Sequence, residues 1–186
     1  LPAADTPVAD TWYYRRGNTN ATIDISQQTF AAGTNPPTGT SVYYLEYDCS
    51  AAATDTVNVV YQAFESAQSF SNVLVTVTFQ ARTRDVATTS TLAIWIEQYF
   101  GIGGSPTPAA TLYSHTIDDT WNTYSTTFTV PDVAAKTIGT GSELRIGFQF
   151  QINQIIAIDI GPVQFQLGGG TPADFPYLTI EQQFAE

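Results

Sequence analysis

The sequence predicts an all-β fold, an antiparallel β-sandwich with about ten strands and minimal helix. Apolar and polar residues alternate along most of the chain, which is the period of a strand with one buried face. Charged residues make up only 12% of the 186 residues, about half the usual share, and Thr, Val, Tyr and Phe are frequent. Turn-forming Gly, Pro and Asn separate the alternating segments at short intervals, as in sandwich domains.

Three segments show the alternation most clearly. Odd positions are apolar in 73–81, whereas even positions are apolar in 124–130 and in 144–152. Further strands are predicted at 12–16, 21–28, 41–48, 57–64, 91–100, 112–117 and 155–165, and one short helical turn at 65–69. In 91–100 we expect Leu92, Ile94 and Ile96 to face the core. No long helical pattern separates the strands, so a parallel α/β sheet is not expected.

The chain is predicted to form one domain over residues 1–186. No linker divides it, and its length fits a single domain. It begins with Leu1 and contains no Met, so we expect a processed chain or a fragment of a longer protein.

Charge and cysteine content exclude several classes of function. The net charge of −11 opposes binding to nucleic acids and docking to anionic membranes. The apolar runs are too short for membrane insertion. Cys49 is the only cysteine, so no intramolecular disulfide forms, and we expect a buried, inert thiol.

The sequence contains few of the features expected of an enzyme. His115 is the only histidine, and no Gly-x-Ser-x-Gly motif accompanies it. Because Leu112 is expected to face the core, His115 is predicted to lie on the surface of its strand. No catalytic residue, metal site or cofactor is predicted, although loop carbonyls and carboxylates leave calcium as an open alternative.

One surface suits a ligand. In 91–100, Trp95, Glu97 and Tyr99 share the predicted outward face, and Arg145, Gln149 and Gln151 form a polar row on another strand. Aromatic rings beside carboxylates and amides suit sugars, whose C–H faces stack while their hydroxyls form hydrogen bonds. These six residues are the predicted glycan platform. The alternative is that an outward Trp fills a subunit interface or packs beneath a loop.

Short motifs also follow one another in a familiar order. They are Asp10-Thr11-Trp12, Tyr61-Gln62-Ala63-Phe64-Glu65, Thr78-Phe79-Gln80-Ala81-Arg82, Phe100-Gly101-Ile102-Gly103-Gly104-Ser105-Pro106, Trp121-Asn122-Thr123-Tyr124, Phe128-Thr129-Val130-Pro131, Lys136-Thr137-Ile138-Gly139, Gly161-Pro162-Val163-Gln164-Phe165-Gln166-Leu167-Gly168 and Thr171-Pro172. In this order the chain resembles a module of tail-fibre, appendage and other virion proteins of tailed bacteriophages. It departs from that pattern at Phe165-Gln166 and at Ala173-Asp174, which precede Phe175.

The resemblance implies a jelly roll like those of carbohydrate-binding modules, on the virion surface and often trimeric. It implies no catalytic residues. We therefore expect a non-enzymatic, extracellular module for host glycan or receptor recognition, with other virion proteins or its own copies as partners. Two alternatives stay open. One is a purely structural domain such as a knob, collar or capsid decoration, and the other is a carbohydrate-binding module of a secreted protein.

Overall fold

In the computed structural model, the described residues form eleven strands and no helix. These residues are 6–9, 12–17, 21–31, 43–52, 54, 56–85 and 88–170. The strands are β1 (Thr6–Ala9), β2 (Trp12–Arg16), β3 (Thr22–Thr29), β4 (Tyr43–Ala51), β5 (Asn58–Glu65), β6 (Leu74–Thr83), β7 (Ser90–Tyr99), β8 (Thr111–Ile117), β9 (Asn122–Thr129), β10 (Glu143–Phe150) and β11 (Ile156–Leu167). No helix in these ranges is long and apolar enough to cross a membrane.

The strands form two antiparallel sheets that pack face to face, which confirms the predicted sandwich. The six-stranded sheet has the order β1-β2-β5-β10-β7-β8, and the five-stranded sheet has the order β3-β4-β11-β6-β9. Every recorded pairing of strands is antiparallel. Consecutive strands often lie in opposite sheets, so the chain crosses the sandwich repeatedly, as in a jelly roll.

The core lies between the sheets and contains the apolar positions of the alternating segments. Leu92, Ile94 and Ile96 of β7 are buried there, as predicted, and so are the even positions 144–150 of β10. Tyr47 of β4 stacks on Phe150 of β10 with ring centroids 3.7 Å apart, which joins the two sheets directly. Cys49 is buried, as predicted.

All ten predicted strands are present, and their bounds agree within a few residues. The strand β1 was not predicted, since its sequence Thr-Pro-Val-Ala is too short to show a period. The first residues of the predicted 41–48 strand lie outside the described residues. The predicted helical turn at 65–69 forms hydrogen-bonded turns, in which the Ser69 amide donates to the Ser66 carbonyl.

The prediction for His115 was wrong. Leu112 is exposed on the outer side of β8, whereas His115 points inward and is half-buried. Its ring packs edge-on against Phe79 and Tyr124, and its Nε2 lies 2.8 Å from the Thr126 hydroxyl. The strand β8 is an edge strand that meets β9 of the other sheet, so its inner side is closed by aromatic rings rather than by a regular aliphatic layer.

Gly147 in the middle of β10 is required by close packing. A Cβ atom there would lie 2.0 Å from the Val60 carbonyl oxygen and 2.5 Å from the Tyr61 Cα atom of β5. The missing side chain also leaves space in which Tyr61 and Trp95, on the two flanking strands, approach with ring centroids 5.6 Å apart.

We predict that Gly147→Ala lowers the free energy of unfolding by about 1–3 kcal/mol, because the added methyl group overlaps the backbone of β5. Urea unfolding measures this change. Gly170→Ala is the control, since the nearest atom to a Cβ there is the Gln166 Nε2 at 3.7 Å. Equal unfolding midpoints for the two variants would contradict the packing argument.

We also predict that His115 makes folding pH-dependent. Burial lowers the pKa of its imidazole below the ordinary value. As the pH falls through that ordinary value, about 6.5, the unfolded chain binds the proton first, so folding stability decreases. The contribution of neutral His115 to folding stability is fully present at higher pH.

The measurement compares the free energy of unfolding of the natural chain and of His115→Gln at neutral pH and at about pH 5. The natural chain should lose more stability than the variant. Since His115 is the only histidine, a difference isolates its titration. The same loss in both proteins would contradict the prediction.

Candidate functional site

The predicted glycan platform lies on the outer face of the six-stranded sheet. Trp95, Glu97 and Tyr99 alternate along β7 on the side away from the core, and Arg145 lies directly opposite Glu97 on β10. Five of the six residues therefore occupy two neighbouring strands, and Gln151 directly follows β10. The strand period and the register between β7 and β10 together bring them onto one face.

The Trp95 ring is almost completely covered, although it points outward. Only 3% of Trp95 is exposed. The Arg15 guanidinium, from β2, lies 4.7 Å from the indole centroid, and Tyr61 from β5 packs beside the ring. A sugar can stack on Trp95 only if Arg15 moves aside, because the cation occupies the exposed side of the ring system.

Glu97 is held between two arginines. Arg15 Nη2 donates to Glu97 Oε2 at 2.9 Å, and Arg145 Nη1 donates to the same oxygen at 3.0 Å. Arg145 also donates to Glu143 and lies over the Tyr99 ring. Burial alone lowers the pKa of Arg145, but the hydrogen bond and charge of Glu143, with Tyr61 and Glu97, outweigh this effect and raise it. All these charges satisfy one another within the chain.

The glutamine row is only partly available to a ligand. Gln149 and Gln151 are both half-buried, and Gln151 Oε1 accepts a hydrogen bond from the Thr91 amide at 2.9 Å. Glycan binding by the six residues stays a prediction. Sequence reasoning missed Arg15 and Tyr61, which close this surface from strands far away along the chain.

A second surface with accessible rings lies on the outer face of the five-stranded sheet. Phe30 follows β3, Tyr44 lies in β4 and Trp121 precedes β9, and their ring centroids are 4.9–5.7 Å apart. We call these three residues the aromatic cluster. Each is half-buried, so the cluster presents more free ring surface than Trp95 does.

Gly161 of β11 lets the indole of Trp121 lie close to the sheet. A Cβ atom at this position would lie 3.2 Å from Trp121 Cζ3, and equally close to Gln80 Cβ of β6. The Arg82 guanidinium lies over the Trp121 ring, 5.1 Å from the indole centroid. The glycine therefore lets the indole pack closely against the sheet, and the cation lies against the face of the ring.

Charged groups line the sheet beside the aromatic cluster. Asp159 is fully buried, and Arg82 Nε donates to its Oδ2 at 2.8 Å. Arg84 forms ion pairs with Asp159, Glu46 and Asp48. Burial raises the pKa of Asp159, although the two arginines oppose the shift. Burial and the charges of Asp159 and Glu46 also raise the pKa of Tyr44, whose hydroxyl therefore stays protonated and able to donate.

Sequence reasoning did not find the aromatic cluster. Its members come from three separate segments, and Phe30 and Trp121 lie just outside their strands, where alternation assigns no face. Within the described part of the chain, no three His, Cys, Asp or Glu residues are grouped so that they could hold a metal ion.

Comparison with known proteins identifies the fold. No protein-family model and no curated protein sequence matches the chain. Solved structures do match. The CBM22-1 xylan-binding domain of Xyn10C from Paenibacillus barcinonensis is 13% identical, with a TM-score of 0.57 over 91% of this chain and 94% of that domain.

Two further structures extend the comparison. The family 11 carbohydrate-binding module from Clostridium thermocellum, in complex with a β-1,3-1,4-mixed-linked tetrasaccharide, is 15% identical, with a TM-score of 0.58 over 90% of this chain and 94% of the module. The enzymatically active domain of tailspike protein 4 from bacteriophage CBA120 is 16% identical, with a TM-score of 0.55. That match covers 84% of this chain but 19% of the tailspike chain. At these identities the structures share the jelly-roll sandwich.

We predict that Glu97→Gln lowers the free energy of unfolding by about 1–3 kcal/mol, because it leaves two arginines facing each other without a carboxylate between them. Glu143→Gln is the matched control. Glu143 is more exposed and contacts only Arg145 of the two arginines, so its replacement should cost less. Denaturant unfolding of both variants measures the difference, and a larger loss for Glu143→Gln would refute the assignment.

Proposed function

We propose that this chain is a non-enzymatic glycan-binding module displayed on the surface of a bacteriophage virion, where it takes part in host recognition. The observation that carries the proposal is the aromatic cluster, three accessible rings beside arginines and carboxylates on the outer face of the five-stranded sheet. Stacking rings flanked by hydrogen-bonding groups are the chemistry that sugar recognition needs.

The fold supports the glycan-binding part of the proposal. Two neighbours are named as carbohydrate-binding modules, one of them as xylan-binding and the other in complex with a tetrasaccharide. The phage part is supported by the ordered motifs from Asp10 to Pro172 and by the tailspike neighbour. Display as a homotrimer on a fibre or appendage belongs to the same proposal. Sedimentation of the purified chain tests the oligomeric state.

We predict that Phe30→Ala combined with Trp121→Ala weakens binding to glycans, on an array or on host cells, by about tenfold or more, since truncating a central aromatic anchor costs about 2 kcal/mol. The comparison variant combines Tyr99→Ala with Gln149→Ala on the predicted glycan platform, and it should bind normally. The reverse result would move the site to the six-stranded sheet.

We predict no release of reducing sugars from xylan, mixed-linked β-glucan or host polysaccharide. The arginines hold Glu97, and Asp159 is buried beneath its own arginine partners, so neither carboxylate is placed to act on a glycosidic bond. Turnover that disappears in Glu97→Gln would overturn the non-enzymatic assignment.

A structural role in virion assembly is the second candidate. The observation that favours it is the closed outer face of the six-stranded sheet, where Trp95 and Tyr61 are buried beneath the Arg15–Glu97–Arg145 network. Such a face suits a contact between subunits better than a stacking ligand. An oligomer that dissociates in Arg15→Ala, combined with unchanged glycan binding, would assign this face to assembly.

A further inference from the structure

The five-stranded sheet is split between β4 and β11. These strands pair from Cys49↔Ile156 to Leu45↔Ile160 and then diverge. β4 continues beside β3 as far as Tyr43, whereas β11 forms a bulge between Ile160 and Val163 and continues beside β6. Among the described residues, no strand pairs with the second half of β11 on the side that β4 has left.

The split opens into a cleft of about 400 Å³ that reaches the inner face of the opposite sheet. Tyr43, Tyr44 and Leu45 line one wall, and the other wall is lined by Ile160, Gly161, Val163 and Phe165. The floor is formed by the six-stranded sheet, through Trp12, Val60, Gln62 and Phe148. The cleft therefore crosses one layer of the sandwich and ends on the second.

The side chains that line the cleft suit a neutral ligand that has both apolar and hydroxyl groups on its surface. Its lining combines aromatic rings with aliphatic side chains and the amides of Gln27 and Gln62, and none of the described lining residues is charged. The volume lies in the lower part of the range for small-molecule sites. One or two sugar units have this size and this mixture of surfaces.

The cleft is continuous with the aromatic cluster. Tyr44 belongs to both, since it lines the cleft and packs against Phe30 and Trp121. Gly161 also lines the cleft while it lies beneath the Trp121 ring. A single extended ligand can therefore occupy the cleft with one end and the outer face with the rest.

We propose that the cleft between β4 and β11 binds the terminal sugar units of a neutral glycan, whose next units lie on the aromatic cluster. The module then recognises chain ends rather than the interior of a polysaccharide. This inference rests on the proposed glycan binding, and it adds that the end of the glycan lies in the cleft.

The first test blocks the cleft. Val163→Trp places a large ring at its rim, and Val73→Trp is the matched control, because both valines are 37% exposed and only Val163 lines the cleft. The probes are xylan and mixed-linked β-glucan oligosaccharides, with binding followed by calorimetry. We expect Val163→Trp to weaken binding by about tenfold or more and Val73→Trp to leave it unchanged.

The second test counts chain ends. Intact and partly depolymerised samples of the same polysaccharide, xylan or β-glucan, are compared at equal mass as competitors for binding to the module. We expect the shortened material to compete more strongly, since it contains more ends per unit mass. Equal competition by the two preparations would overturn the chain-end proposal.

A third measurement does not depend on whether Val163→Trp folds. The chain has three tryptophans, and each belongs to one surface: Trp12 to the cleft, Trp95 to the predicted glycan platform and Trp121 to the aromatic cluster. We expect the change in fluorescence on sugar binding to be reduced in Trp12→Phe. A response that is retained in Trp12→Phe and lost only in Trp121→Phe would confine the ligand to the outer face.

The outcomes separate the two proposals. If Phe30→Ala with Trp121→Ala abolishes binding while Val163→Trp has no effect, the cleft proposal fails and the proposed function stands. If an alkyl glycoside's apolar tail binds in the cleft and free oligosaccharides do not, the occupant is apolar and the proposal fails. If the natural chain binds no glycan on the array, and binds neither xylan nor β-glucan, both proposals fail.

Discussion

The exclusion of water from the space between the two sheets is the constraint on which the rest of the structure depends. Each strand of the two sheets must turn its apolar side chains toward that space, so its remaining side chains face outward. The stacked rings of Tyr47 and Phe150 and the buried rows of β7 and β10 fix the layers against each other. With the inner positions committed, the chemistry of each outer face depends on which outward side chains the strand order brings together.

The two outer faces use similar residues in different ways. On the six-stranded sheet, Arg15 and Arg145 lie over aromatic rings and share Glu97, so rings and charges satisfy one another. On the five-stranded sheet, Arg82 and Arg84 are drawn toward the buried Asp159. Arg82 also lies over the Trp121 ring, but Phe30, Tyr44 and Trp121 each stay partly exposed. The two faces therefore differ in exposed ring surface, since Trp95 is 3% exposed whereas the rings of the aromatic cluster are half-buried.

The split between β4 and β11 adds depth to the open face. An unbroken sheet offers a ligand a shallow surface, whereas a strand that leaves its neighbour exposes the interior without unfolding it. The bulge at Gly161 and Pro162 produces this departure, and proline is tolerated there because a bulge needs no ladder hydrogen bond from it. The same few residues thus shape the cleft and support Trp121.

The sequence alone determined the sandwich, because the period of two assigns each strand residue to the inside or the outside. It placed Trp95, Glu97 and Tyr99 on one outward face correctly, and it assigned His115 wrongly because β8 is an edge strand with a less regular inner side. Only the tertiary structure decided that Arg15 covers Trp95, that Phe30, Tyr44 and Trp121 meet, and that β4 leaves β11. These contacts join residues distant in the chain, and no local pattern records the order in which strands pair.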